Sequence, residues 1–168
     1  MFNLFGKKKE ETKLPEVNAA DTDIVAIADG EMIDVTTVPD PVFAEKMMGE
    51  STAFRYAGDK VTLCAPANGT LSVLFPTGHA FGVTRKDGVE LLVHCGVNTV
   101  DANGNGFKVL SKKQGDTVKA GDPIVEVDLK KLRAAYDMST MLIITNANGK
   151  ELGFQAPQPV TRGQKVNA

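Results

Sequence analysis

Phe75-Pro76-Thr77-Gly78-His79-Ala80-Phe81-Gly82-Val83-Thr84-Arg85-Lys86-Asp87-Gly88-Val89-Glu90-Leu91-Leu92-Val93-His94-Cys95-Gly96 contains both histidines of the chain. Val89 to His94 is an apolar run of strand length, and Arg85 to Gly88 has the composition of a hairpin turn. The stretch therefore predicts two antiparallel strands, with His79 at the start of one and His94 at the end of the other. A loop of Lys86-Asp87, or of Arg85 to Gly88, sets His79 directly opposite His94, with Cβ atoms ~4.5–5.5 Å apart. A loop of Asp87-Gly88 pairs His94 with Phe81 and leaves His79 as its diagonal neighbour at ~7–8 Å on the same face. An odd loop without a bulge would send the two rings to opposite faces, because side chains alternate along a strand.

The rest of the chain has the same strand-like texture. Short apolar runs occur at Ile24 to Ala28, Met32 to Val35, Thr62 to Ala65, Leu71 to Phe75, Ile124 to Val127 and Met141 to Thr145, broken by sixteen glycines and by Asn and Asp. This pattern predicts an all-β fold, an antiparallel β-sandwich or barrel–sandwich hybrid. One short helix is expected after Pro41, from Val42 to Met48 and ended by Gly49. A second is expected from an Asp128 cap through Leu129, Leu132 and Ala135. Ala28-Asp29-Gly30-Glu31-Met32-Ile33 echoes Ala67-Asn68-Gly69-Thr70-Leu71-Ser72, which suggests a duplicated β motif. Gly115-Asp116 and Gly121-Asp122 mark two further turns, similar to those of lipoyl and biotinyl carrier domains. No Met-Lys or Lys-Met pair accompanies them, so only the architecture carries over.

Length and composition narrow the class. The chain has 168 residues, 42% hydrophobic and 24% charged, with a net charge of −2. It reads as a single domain over residues 21–168, preceded by a flexible tail over 1–20. Its ends read as those of a free-standing domain. A net negative charge provides no global field for nucleic acid. No apolar run approaches the ~20 residues that cross a bilayer. Phe2, Leu4 and Phe5 beside Lys7-Lys8-Lys9 offer weak peripheral membrane contact through residues 1–9. These lysines follow the apolar residues, the reverse of a secretory signal. Cys64 and Cys95 form no C-x-x-C pair, so a cytosolic location with reduced, buried thiols is expected.

Two adjacent imidazoles admit three chemistries: a metal site on His79 and His94, acid/base work, or a nucleophilic histidine whose neighbour stabilises the group it accepts. A catalytic zinc needs three protein ligands. Cys95 points away from His94 on a strand, and Asp40 or Asp101 would have to fold close to join them. A neutral imidazole near pH 7, by contrast, suits phosphoryl transfer, where the protein mainly positions groups and offsets charge. A hydroxyl such as that of Thr77 would help. No P-loop is present.

At these residues the chain resembles the glucose-family enzyme IIA domains of the bacterial phosphotransferase system. The phosphorylation-site segment is matched by Gly88 to Val100 and the second-histidine segment by Phe75 to Phe81. Val38 to Gly49, Ala65 to Thr70, and Gly106-Phe107-Lys108 with the Gly-Asp turns complete the likeness over about residues 23 to 150. The resemblance implies that His94 takes a phosphoryl group on Nε2 from the phosphocarrier protein HPr. It would then pass the group to a cysteine of an enzyme IIB domain of a sugar permease. His79 would bond the phosphate, and Thr77 would support the histidines, with no cofactor beyond the covalently carried phosphate. The implied docking surface is Val42, Phe43, Met47, Met48, Phe75, Leu92 and Val100, with Asp40 and Asn98 as its polar members. The chain departs from the family pattern at Cys95, usually bulky, and at Asn98, often an Asp. Two rivals remain: a regulatory protein whose phosphorylation state is read by metabolic enzymes or transporters, and a zinc hydrolase.

Overall fold

Thr140 to Ile144 are all buried in the strand Thr140–Asn146. A strand apolar on both faces belongs at the centre of a sheet. The computed structural model describes residues 13–168, and this strand lies in the interior of its larger sheet. In chain order the strands are β1 (Gly30–Ile33), β2 (Glu50–Arg55), β3 (Lys60–Cys64), β4 (Gly69–Leu74), β5 (Ala80–Thr84), β6 (Glu90–Cys95), β7 (Phe107–Val109), β8 (Thr117–Val118), β9 (Pro123–Asp128), β10 (Thr140–Asn146) and β11 (Gln158–Val160). One antiparallel sheet runs β11-β1-β2-β10-β6-β5-β4-β8, and a second runs β3-β9-β7. The sheets are open and face each other across one core. Phe54, Leu71, Phe81, Leu91, Val93 and Leu142 of the larger sheet meet Leu63, Ile124, Val125 and Val127 of the smaller. This is the expected antiparallel sandwich, and it does not close into a barrel.

A second, smaller cluster covers the opposite face of the larger sheet. Val35, Val38, Phe43, Ala53, Val97, Met141 and Ile143 pack there. The 3₁₀ turn Val35–Thr37 and helix α1 (Pro41–Ala44) supply its roof. Strand β6 therefore divides its side chains. Leu91, Val93 and Cys95 enter the main core, while Leu92 packs against the outer cluster. His94 shares the face of Leu92 by alternation.

Helix α1 is shorter than the expected Val42 to Met48. Asp40 caps it, accepting from Val42 N at 2.9 Å. Lys46 then turns left-handed at φ 55 and ends the helical path before Gly49. Helix α2 (Leu129–Arg133) begins at the expected cap, with Asp128 Oδ1 accepting from Lys131 N at 3.0 Å. The expected strand Ile24 to Ala28 is an extended, buried run with one isolated bridge, Val25 to Lys165. Its amides turn alternately to two neighbours, Val25 N to Pro66 O and Ala26 N to Gln164 O, so no ladder forms.

The duplicated motif has a physical basis. Gly30 and Gly69 each open a strand against a neighbouring carbonyl. A Cβ would lie 2.5 Å from Arg55 O at the first and 2.1 Å from Thr84 O at the second. The two Gly-Asp turns also match: Asp116 accepts from Lys113 N at 2.9 Å, and Asp122 accepts from Lys119 N at 2.8 Å. Residues 13–20 run along the body, with Asn68 donating to Ala19 O at 3.0 Å. The proposed membrane-contact residues 1–9 lie outside the described residues.

The β5–β6 hairpin corrects the expected register. Ala80 pairs with His94 and Thr84 with Glu90, and Arg85 N donates to Val89 O at 2.8 Å. The loop is thus Lys86-Asp87-Gly88, an odd loop, neither of the even ones. Gly88 supplies the left-handed residue, φ 87, that a three-residue hairpin needs. Arg85, its side chain 1% exposed, grips Asp87 with two bonds, Nε to Oδ1 at 3.0 Å and Nη2 to Oδ2 at 2.5 Å. The guanidinium holds the Asp87 carboxyl down at about 2. Asp87→Ala strands a buried charge, and a loss of about 3 kcal/mol in urea unfolding is expected. The contribution is complete above the unfolded carboxyl value of ~3.9 and is lost as pH falls towards about 2.

Candidate functional site

Strand β5 presents Ala80 and Gly82 opposite His94 and Leu92. These small residues leave a hollow on the outer face of the sheet. Around it stand Phe43, Met48, Val73, Phe75, Leu92, His79 and His94, enclosing about 490 Å³. Glu90 is the one charged residue lining it among the described residues.

His94 is half-buried. Its Nδ1 lies 3.0 Å from Gly96 O. A carbonyl only accepts, so the proton resides on Nδ1 and the lone pair on Nε2. Burial chiefly, and the neighbouring His79 next, push the His94 pKa down to about 4, against a smaller upward pull from Gly96 and Asp40. The ring is therefore neutral and nucleophilic at physiological pH. The Phe43 ring covers it at a centroid distance of 5.0 Å.

His79 is 4% exposed, and burial lowers its pKa as well. Its ring lies 5.3 Å from that of His94, inclined at 80°. Phe75 stands edge-on to it at 5.1 Å and Phe107 at 6.5 Å. Thr77 Oγ1 is 2.7 Å from His79 Nδ1. When the Thr77 hydroxyl donates, His79 keeps its own N–H on Nε2.

The imidazoles thus meet as expected, but by a different route. The odd register sets His79 level with Cys95, whose N–H donates to His79 O at 2.7 Å. Strict alternation would then send His79 to the core side with Phe81. His79 precedes β5, however, in the turn where Gly78 N donates to Phe75 O at 2.8 Å. Off the ladder, its ring is free of the alternation rule.

The structure places most of the expected docking residues at the surface. Val42, Met47, Met48, Phe75 and Val100 are between 40% and 68% exposed. Phe43 is buried over His94, and Leu92 is half-buried. Asp40 caps α1. Asn98, exposed and left-handed at φ 62, leads into the 3₁₀ turn Thr99–Ala102 without a side-chain cap. Val73, also 41% exposed, was not anticipated. A bulge between Leu71 and Val73 breaks the alternation that would have sent both to one face. Ala80 and Gly82 were missed too, though their small size at alternate positions was a usable signal. Cys95 lies in the core, where burial raises its thiol pKa to about 12. Among the described residues, no group of three or more His, Cys, Asp or Glu side chains is placed to hold a metal ion. Among the same residues, the zinc-hydrolase reading finds no third ligand beside His79 and His94. No helix among them is long and apolar enough to cross a membrane.

A family model described as phosphoenolpyruvate-dependent sugar phosphotransferase system, EIIA 1, matches residues 22–150. The chain belongs to this family. It is a sugar phosphotransferase-system component of the glucose-type IIA class. It is 37% identical over 167 residues to the PTS system glucose-specific EIICBA component of Staphylococcus carnosus (strain TM300), covering 94% of this chain and 24% of that one. The glucoside-specific EIICBA component of the same organism is 40% identical over 144 residues, 85% of this chain and 20% of the relative. The chain thus spans about a quarter or less of these relatives' lengths. The solved glucose permease IIA from Mycoplasma capricolum superposes with a TM-score of 0.78 at 37% identity, covering 86% of this chain and 93% of that one.

Proposed function

We propose that Nε2 of His94 accepts a phosphoryl group from HPr and gives it to a cysteine of an enzyme IIB domain. The observation that carries this reading is the bond from His94 Nδ1–H to Gly96 O, which leaves the lone pair on Nε2 beside a second neutral imidazole. In the first step the Nε2 lone pair attacks phosphorus. The bond from phosphorus to the donor nitrogen breaks, and its electron pair stays with HPr. In the second, a cysteine thiolate attacks and the pair returns to His94. His79 Nε2–H bonds the phosphoryl oxygens, and Thr77 fixes the tautomer that makes this possible. No cofactor enters, and the site sits in the cytosol with its partners. The related proteins whose names join IIC, IIB and IIA favour a IIB partner. Incubation with phosphoenolpyruvate, enzyme I and HPr, followed by intact mass, tests the reading. One phosphoryl group is expected, stable to base and labile to acid, and an unchanged mass refutes it.

The exposed apolar ring around the hollow is the docking surface on this reading, and its methionines adapt to partners of different shape. Phe75→Ala removes apolar area from the contact and should raise the KM for HPr about five- to tenfold at every salt concentration. Asn98→Asp places a negative charge where the left-handed backbone tolerates Asp. It should speed acceptance at low salt, with the gain shrinking as the screening length falls to ~8 Å at physiological salt. Initial rates against HPr concentration at two ionic strengths check both. Slower transfer for Asn98→Asp at low salt, or an unchanged KM for Phe75→Ala, puts the surface elsewhere.

A further inference from the structure

The two peptide groups flanking Gly96 are tied at all four of their polar atoms. Cys95 O accepts from Thr99 Oγ1 at 2.5 Å. Gly96 N donates to Ser139 O at 3.0 Å, and Val97 N donates to Asp137 O at 2.9 Å. Gly96 O accepts from His94 Nδ1 at 3.0 Å. The segment supplying the two carbonyls is itself held, with Ser139 N donating to Asp137 Oδ1 at 2.9 Å. His94 apart, Thr99 is the one side chain among these anchors. It is fully buried. Its methyl closes against Gly96, where a Cβ would lie 2.4 Å from Thr99 Cγ2.

A peptide group is a rigid plane, so an anchor at each end fixes its orientation. Gly96, at φ 85, is the pivot between the two planes, and glycine is the residue that most readily swings between backbone wells. We propose that Thr99 is a positioning residue for His94: through the Cys95–Gly96 peptide it holds the Gly96 carbonyl that keeps the proton on Nδ1 and the lone pair on Nε2. Thr99 never touches the transferred group. Its effect reaches the chemistry through the tautomer of the His94 ring, a placement in which small displacements cost rate.

The kinetic part of this inference rests on His94 being the acceptor, whereas the tautomer part does not. Thr99→Val keeps the methyl against Gly96 and deletes the hydroxyl. The ring nitrogens of ¹⁵N-histidine-labelled, unphosphorylated protein are observed by NMR at neutral pH. In wild type His94 should show the Nδ1–H form alone. In Thr99→Val its two nitrogen shifts should move towards each other as the tautomers exchange, while His79 stays unchanged. The maximal rate of acceptance from HPr should fall about tenfold with KM unchanged, and Thr99→Ser should restore both. A wild-type tautomer in Thr99→Val, with only a lowered Tm, overturns the inference. If Thr99→Val folds poorly, Thr99→Ala against Thr99→Ser asks the same question across a single oxygen atom. A shifted tautomer alongside undiminished phosphorylation of His94→Ala would support the role of Thr99 and overturn the acceptor assignment instead.

Discussion

His94→Ala should gain no phosphoryl group under conditions where the wild type gains one. The other histidine cannot take its place. His79 lies at the back of the hollow, 4% exposed, with its Nδ1 engaged by Thr77. The same variant carries a pH signature. A half-buried neutral ring whose pKa is about 4, against ~6.5 unfolded, means that the unfolded chain binds more protons between those values. Stability therefore falls as pH drops through that window. Removing the ring should flatten this part of the stability curve. Urea midpoints from neutral pH to about 4, for wild type and His94→Ala, make the comparison. Continued phosphorylation of the variant at the wild-type rate would mean that another residue is the acceptor.

His79→Gln should split the relay. Acceptance depends on a nucleophile prepared by the Gly96 carbonyl, which the substitution leaves alone. Onward transfer brings a cysteine thiolate against a phosphoryl dianion. The imidazole of His79 is the group of this chain beside His94 that can take up positive charge as those anions meet. Glutamine offers an N–H of similar reach but cannot take up a proton. Transfer from phospho-HPr should stay within a few-fold of wild type, and transfer to enzyme IIB should drop about a hundredfold, the usual scale for losing a group that takes up a proton in the transition state. Pre-phosphorylated protein chased with purified IIB separates the steps. Equal rates in both directions would make His79 a structural residue.

The pairing of His79 with His94 was legible because the chain has two histidines and a single turn between them. The geometry that achieves it was not. Loop parity depends on Gly88 accepting the third loop position, and the orientation of His79 depends on a turn outside any ladder. Apolar exposure at Val42, Met47, Met48, Phe75 and Val100 followed from the family likeness. Val73 was hidden because a bulge leaves no trace in the hydrophobic pattern. The extended run at Ile24 to Ala28 looked like a strand because it is apolar and buried, but pairing is a property of neighbours far away in sequence. Strand β2, Glu-Ser-Thr-Ala-Phe-Arg, has no apolar run to announce it, yet it lies between β1 and β10 with Ser51 and Thr52 buried. The repeat at Gly30 and Gly69 was visible because close approach to a carbonyl dictates the residue itself.

Among the described residues, no lysine or arginine lines the hollow around His94. A phosphoryl dianion held there would meet no permanent cation among the lining residues, only an imidazole that can take up a proton. A cation ~4 Å away would be worth about 4 kcal/mol per unit charge at an effective dielectric constant of ~20. That is about a thousandfold shift of the equilibrium towards keeping the group. On the proposed relay, the lack of such a cation would leave the phosphorylated form higher in free energy and favour onward transfer to a thiol. On the same reading, counter-charge would arrive with whichever partner is docked and depart with it, so direction would be set by the partners' own transfer potentials and not by the site between them.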